Sequence, residues 1–309
     1  MRIASLLPSA TEIVCAIGLE DELVAVTHEC DWPPSVVGVP VVTSARPETD
    51  PRRRSIHDLV TDSMHDGSVA RFLDADALEA AAPDLVLIQA GCQVCGVRYP
   101  EAAEAARRLD PDITVVSLEP TSIEGILNTI STIGAMTEAE DAAMDLVASL
   151  RERLGAIESR VAERRQERRR APRVAGVGWF DPPFAVGHWM PEQVRRAGGW
   201  EVLGIDGGRA VETTWDRIVE VDPELLLLMP GRGHLHETIA AWRRTSLPEG
   251  VADIPAARDG AVIALDGPAY FCRPGPRVID GVELLAEVMD PAGFPDLAPS
   301  DGWAPIDVP

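Results

Sequence analysis

Two stretches far apart in the chain carry one signature: LEAAAPDLVLIQ, beginning at Leu78, and IVEVDPELLLLM, beginning at Ile218. In each, a helical end meets a proline, an acid and a short, unbroken apolar run. Such a run is too short for a helix and too continuous for a strand with one wet face, so it reads as a strand buried on both sides of a parallel sheet. Both stretches sit within alternating strand and helix segments. In the first third these are RIASLL, SATEIVCAIG, ELVAVT, DADALEAAA, DLVLIQ, PEAAEAARRL and ITVVSL. Later come RVAGVGW, PEQVRRAGG, WDRIVEV, ELLLLMP, AVIALDG and RVIDGVELLAEVM. Alternation of this kind predicts α/β architecture, with helices covering parallel strands. The repeated signature predicts two Rossmann-like lobes.

Between the lobes lies a helical stretch from Ser122 to Arg170. Met144, Val147, Leu150, Leu154, Ile157 and Val161 recur at intervals of three and four, the period of one helix face. The stretch ends in the arginine-rich AERRQERRR, which suits a helix C-terminus, and Pro172 stops it. The expected organisation is a first lobe over 1–125, a linking long helix over 126–171, a second lobe over 172–292 and a loose Pro/Gly/Asp-rich tail over 293–309. The linker is expected to be a single helix of roughly thirty residues, about 45 Å at helical rise. Ser9 or Thr11 is expected near the N-cap of the first helix, with Gly18 closing it.

Charge narrows the partners. The 309 residues carry a net charge of −22, and every basic residue of the Lys/Arg class is arginine. So acidic a surface repels phosphates and anionic membranes, which excludes nucleic acid and argues against membrane insertion. Acidic, lysine-free composition fits a halophile or a GC-rich genome. No run approaches a membrane span, and MRIASLLPSATEIV lacks a basic n-region, so a cytoplasmic location is expected. Five cysteines in such a chain do not suggest a disulfide framework.

Ligands of open parallel sheets bind beyond the carboxyl ends of strands. Ser9 follows the first strand. The second is followed by HECDW, with His28, Cys30 and Trp32; DLVLIQ is followed by AGCQVC, with Cys92 and Cys95. In the second lobe RVAGVG runs into WFDPPFAVGHW, with Trp179, Phe180, His188 and Trp189, and AVIALDG into PAYFCRPGPR, with Tyr270, Phe271 and Arg273. Aromatics make up 5% of the chain yet crowd these loops, which points to a cleft for a large, flat or apolar ligand. His28, Cys30, Cys92 and Cys95 form a soft-ligand set suited to zinc or an iron–sulfur centre. The same residues also read as small buried side chains beside a satisfied histidine, or as a redox pair. Pro100, which delays the next helix, weakens the redox reading. Cys15 is expected in the core of its helix, and the H-x-H at His234 and His236 reads as a solvated loop. No G-x-S-x-G, H-E-x-x-H or P-loop is present.

SLLPSATEIVCAIG, APDLVL, the long helix, PPFAVGHWMPEQVRRAGG and AYFCRPGPRVIDGVELLAEV together resemble the vitamin B12-binding, helical-backbone class of ABC-transporter substrate-binding proteins, over about residues 1 to 292. The resemblance implies two α/β lobes joined by a stiff helix, with a corrinoid, haem or metal–siderophore chelate held between them and no catalysis. It also implies an aromatic grip, here at Trp32, Trp179, Phe180, Trp189, Tyr270 and Phe271. THECDWPP and GCQVCGV depart from the family pattern and suggest a cytoplasmic branch with its own thiol cluster. The leading expectation is therefore a binding protein for cobalamin or a similar chelate, partnered by an ABC permease or a cobamide-handling enzyme. The alternative is a metal- or iron–sulfur-containing enzyme or redox protein built on the His28/Cys30/Cys92/Cys95 cluster.

Overall fold

The computed structural model describes residues 1–45, 71–89, 103–104, 106–108, 110–167 and 170–309. The chain divides into two compact units, Met1–Glu119 with Asn128–Leu146, and Pro120–Leu127 with Val147–Pro309. The fold is α/β, as expected.

In the first unit, β1 (Ile3–Ser5), β2 (Leu23–Val26), β5 (Leu85–Ile88) and β6 (Thr114–Ser117) form a wholly parallel sheet in the order β2-β1-β5-β6. A two-stranded ribbon, β3 (Thr43–Ala45) with β4 (Arg71–Leu73), stands apart. Helices α1 (Pro8–Ala16) and α2 (Ala75–Ala81) connect strands. Every residue of β5 is buried, as its unbroken apolar run predicts. Helix α1 differs from expectation at its start. Its N-cap is Leu7 with Pro8 in the first turn, because proline's fixed φ suits that position and its missing N–H is no loss there. Ser9 and Thr11 therefore lie inside the helix, and Gly18, at φ 81°, ends it.

The second unit is built on β7 (Arg173–Phe180), β11 (Leu225–Leu228) and β12 (Val262–Leu265), which are parallel. Antiparallel strands extend this core on both sides: β8 (Pro183–Ala185) and β10 (Val211–Glu212) beyond β7, and β13 (Trp303–Pro305) beyond β12. The short β9 (Trp200–Glu201) pairs with the start of β7. Helices α5 (Met190–Arg196), α6 (Trp215–Glu220), α7 (Leu235–Trp242), α8 (Pro255–Arg258), α9 (Gly267–Tyr270) and α10 (Val278–Met289) complete the unit.

The repeated sequence signature has a repeated structure. Ala82 and Asp222, each just before the proline, both adopt positive φ, 41° and 48°. In the first unit Arg2 N donates to Asp84 Oδ2 (2.7 Å), and its guanidinium caps the end of α2 at Ala81 O (2.7 Å) and Ala82 O (2.9 Å). In the second, Arg173 N donates to Glu224 Oε2 (3.0 Å), and its guanidinium caps the end of α6 at Asp222 O (3.0 Å). An arginine at the strand entrance thus satisfies carbonyls that a helix C-terminus leaves orphaned.

The long helical stretch is two helices. Helix α3 (Ile123–Met136) ends at Thr137, Glu138 takes φ 57°, and α4 (Glu140–Glu167) runs for 28 residues. No glycine or proline marks the break, because a glutamate occupies the left-handed position. Close packing demands the turn: a Cβ on Gly134 would lie 2.4 Å from that of Ala143. Ala143 is buried in place of Met144, which is 59% exposed, while Val147, Leu150, Leu154, Ile157 and Val161 are buried as expected. Arg153 is paired with Asp280 and Glu283, Arg164 Nε donates to Asp290 (2.8 Å), and Arg196 links Glu158 to Glu192. The greater part of α4 is thereby fastened to the second unit. No helix among the described residues is long and apolar enough to cross a membrane.

The tail is ordered rather than loose. Strand β13 pairs with β12, Trp242 Nε1 donates to Asp307 O (2.9 Å), and Ile306 and Val308 pack on the core around Trp242. Its Pro/Gly/Asp composition reflects turns, and an edge strand tolerates proline where a central one does not. Deleting residues 303–309 is expected to lower unfolding free energy by roughly 3 kcal/mol, the value of re-exposing two or three partly buried apolar side chains, measured by urea denaturation.

Glu201 closes the gap where β8 and β9 share one side of β7. Its carboxylate accepts Gly176 N (3.0 Å), Leu203 N (2.9 Å) and Gly204 N (3.0 Å). Burial pushes this carboxyl up to about 7, against the opposing pull of those N–H groups. The folded state therefore holds a proton that the unfolded state releases, so the contribution of this group to stability is greatest at low pH and falls as pH rises from about 4.5 towards 7. Between pH 5 and 8 the wild type is expected to lose up to roughly 3 kcal/mol more than Glu201→Gln, by urea denaturation at each pH. Equal losses would mean the carboxyl stays ionised throughout.

Candidate functional site

The carboxyl ends of β1 and β2 place two loops side by side in the first unit. Thr11, projecting from α1, donates to Ser5 Oγ (2.8 Å) and lies 3.1 Å from Cys30 Sγ; Thr27 Oγ1 lies 3.3 Å from the same sulfur. The thiol of Cys30 is thus held between two hydroxyls beyond the strand ends. His28 is exposed, with Nδ1 2.8 Å from Thr43 Oγ1. Ser9 is buried in the first turn of α1, and Trp32 is 45% exposed. Cys92 and Cys95, the other half of the expected cluster, lie outside the described residues. Among the described residues no three His, Cys, Asp or Glu side chains gather as a metal-ion site, and no disulfide joins Cys15, Cys30 and Cys272. Cys15 is only half-buried, although burial still pushes its thiol up to about 11.

The second unit divides the predicted aromatics into two sets. Trp179, near the end of β7, is half-buried and donates Nε1 to Asp181 O (2.9 Å). Tyr270 is half-buried below the Arg277 guanidinium, 5.8 Å from the ring centre, and burial pushes its hydroxyl up to about 12. Arg273 is half-buried in the same post-β12 loop. Phe180, Trp189 and Phe271 are instead core residues, 7%, 4% and 0% exposed. Phe180 packs edge-on against Trp242 at 5.6 Å, and Trp189 donates Nε1 to Phe271 O at 2.6 Å. Three of the six residues expected to grip a ligand therefore hold the fold.

The hairpin explains the displacement of Trp189. WFDPPFAVGHW is not one loop after a strand: β7 continues to Phe180 and β8 turns back antiparallel. Val186 N bonds Gly176 O, so residues 186–189 pass the middle of β7 instead of crowning its end. His188 leaves this hairpin at φ 55°, clamped between its own N–H to Gly208 O and Gly207 N–H to its carbonyl. Its Nδ1 is buried with no hydrogen-bond partner among the described residues, and burial, with Arg209 nearby, lowers its pKa. At pH 7 the ring is neutral.

Sequence reasoning missed the residues that shape the post-β12 loop. Gln193 is fully buried and donates Nε2 to Tyr270 O (3.0 Å) and Val278 O (2.8 Å). Asp266 caps α9 through Ala269 N (3.0 Å) and reaches across to His234 Nδ1 (2.9 Å). Gly267 brings this loop against the one after β11, where any Cβ would lie 2.0 Å from Pro230 O. Cys272 beside them is half-buried, and desolvation pushes its thiol up to about 12. An Asp-Gly-Pro after an apolar strand is the one sequence signal that could have marked the cap.

A family model described as periplasmic binding protein matches residues 3–269. The chain belongs to the periplasmic binding protein family. The Bacillus subtilis protein described as an uncharacterized ABC transporter substrate-binding lipoprotein, YvrC, is 25% identical over 302 residues, covering 95% of this chain and 81% of the relative. A periplasmic heme-binding protein from Pseudomonas aeruginosa superposes with a TM-score of 0.71 at 20% identity, covering 94% of this chain and 93% of its own. The periplasmic vitamin B12 binding protein BtuF of Vibrio cholerae does so at 0.68 and 20%, covering 94% and 97%. These structures share the fold, two α/β units with a long connecting helix.

In this periplasmic binding protein the two aromatic sets should respond differently to truncation. Trp189→Ala is expected to cost about 3–5 kcal/mol of stability, the usual range for emptying a core site of this size, and to lower the thermal midpoint by several degrees. Trp179→Ala is expected to cost about 1 kcal/mol or less, as for a partly exposed side chain. Differential scanning fluorimetry of the two variants separates them.

Proposed function

We propose that the chain is the substrate-binding component of an ABC transport system and that its ligand is a metal chelate of the corrinoid or tetrapyrrole kind. The observation that carries this reading is the set of incompletely buried aromatic side chains at or beyond strand ends: Trp32 in the loop after β2, Trp179 next to last in β7 and Tyr270 closing α9, the short helix after β12. Flat ring faces suit a flat, largely apolar ligand. The similar proteins support it, since one is named for heme and another for vitamin B12. Arg273 offers a cation to an anionic periphery, and Ser9 lies where the first strand delivers the N-terminus of α1. His28 and Cys30 stand at the corresponding edge of the first unit as candidate contacts to the metal. The partner that follows from this reading is an ABC permease.

Quenching of tryptophan fluorescence by cyanocobalamin and by hemin tests it. At least one is expected to bind saturably with one site per chain. Trp179→Ala and Tyr270→Ala are each expected to weaken that binding by about 1–3 kcal/mol, the value of one lost aromatic contact at a hot spot. Binding of neither ligand would overturn the reading.

A further inference from the structure

We propose that Gln193 is a positioning residue for ligand binding: from the buried face of α5 it fixes both ends of the segment 270–278, so that Tyr270 is set in place before a ligand arrives. The inference rests on the metal-chelate reading for its choice of probes and adds to it a residue that acts at one remove. Gln193 is 0% exposed, so it works only through what it holds. The segment opens with Tyr270, the last residue of α9, and closes with Val278, the first of α10. Gln193 Nε2 donates to both, at 3.0 Å to Tyr270 O and 2.8 Å to Val278 O. Four residues earlier, at the N-cap of α5, Trp189 Nε1 donates to Phe271 O at 2.6 Å. Residues four apart share a helix face, so one face of α5 grips three carbonyls of a single segment.

The amide is committed to this clasp. Its two hydrogens point at two carbonyl oxygens, and turning it over would set Oε1 against both of them, so its orientation is fixed. Oε1 itself is buried with no hydrogen-bond partner among the described residues, which destabilises the fold. Packing alone does not ask for an amide here. Nor does the bond to Val278 O rescue an orphan, because a carbonyl in the first turn of a helix finds its donor within the helix. That bond is a tether. Gly281 lets α10 close over it: any Cβ there would lie 2.4 Å from Tyr270 O and 2.6 Å from Gln193 Nε2. The segment is also stiff in itself. Phe271 N and Cys272 N both donate to Gly267 O (3.0 and 2.8 Å), and Pro274 and Pro276 fix their own φ. The half-buried ring of Tyr270 thus stands on a base whose ends are pinned, and a wall ordered in advance spares binding the entropy of ordering it.

Gln193→Met tests this, since methionine keeps the length of the side chain and removes both donors. Where that variant does not fold, Gln193→Asn, with its amide on a shorter stem, takes its place with the same expected losses. Hydrogen exchange of the ligand-free chain is expected to quicken about ten-fold in peptides spanning 270–278 and to stay unchanged in β7, β11 and β12. In titrations with hemin and with cyanocobalamin, the variant is expected to bind roughly five-fold or more weakly than the wild type. In the Tyr270→Ala background the same substitution is expected to change affinity by less than about two-fold, because Gln193 acts through that ring. Val251→Ala, in the core around Trp242, is expected to lower the thermal midpoint and leave affinity unchanged. Unchanged exchange in 270–278, unchanged affinity, or an equal loss of affinity in the Tyr270→Ala background or in Val251→Ala would overturn the positioning role and leave the metal-chelate reading standing. If the wild type binds neither probe, the chelate reading falls, and the exchange comparison alone decides the clasp: quickening confined to 270–278 upholds it and unchanged exchange overturns it.

Discussion

Leu225 to Leu228 present no polar side chain on either face and are buried throughout, as are Leu85 to Ile88 in the first unit. A strand of that kind must be paired on both edges and covered on both faces, and this constraint organises each unit. It forces parallel neighbours, which require crossover helices, and it drives polar and aromatic residues to the strand ends. The loops beyond those ends are the places left where the chain can offer chemistry. Ser5, Thr11, Thr27 and Cys30 meet there in the first unit, and His234, Asp266 and Tyr270 in the second.

Charge is arranged to serve the same frame. Arginines are few against the acids, and several are spent on fixed positions. Arg2 and Arg173 cap helix ends at equivalent points of the two units, while Arg153, Arg164 and Arg196 fasten α4 to the second unit. Guanidinium suits these places because its planar donors reach two or three acceptors at once. Glu201 is held by backbone N–H groups instead, and desolvation pushes its carboxyl up to about 7, which ties its proton to folding.

The two units differ in how they hold their polar side chains at the strand ends. In the first, the thiol expected to join a four-ligand cluster is bonded to hydroxyls, an arrangement that orients the sulfur beyond the strand ends. In the second, a histidine that had read as part of a solvated loop is braced by a buried carboxylate.

The sequence by itself determined the α/β class, the two-unit organisation and the identity of the buried strands, because these follow from period, run length and repetition, which are local properties; the family was legible only through the resemblance of whole segments. It also located the strand ends near which Trp32, Trp179, Tyr270 and Arg273 stand. It did not determine which aromatics are core. Phe180, Trp189 and Phe271 share the loop composition of Trp179 and Tyr270, and only the return of β8 along β7 and the bond from Trp189 to Phe271 bury them. The break at Glu138 and the pairing of β13 were hidden for a similar reason: a left-handed glutamate and a proline-bearing edge strand run against local preference and are stabilised by Ala143 meeting Gly134 and by Trp242 meeting the tail. The dyad of His234 and Asp266 joins residues 32 apart in the chain. No local pattern encodes it, because the distance between them is set by the parallel register of β11 and β12 and by the glycine that lets their two loops touch.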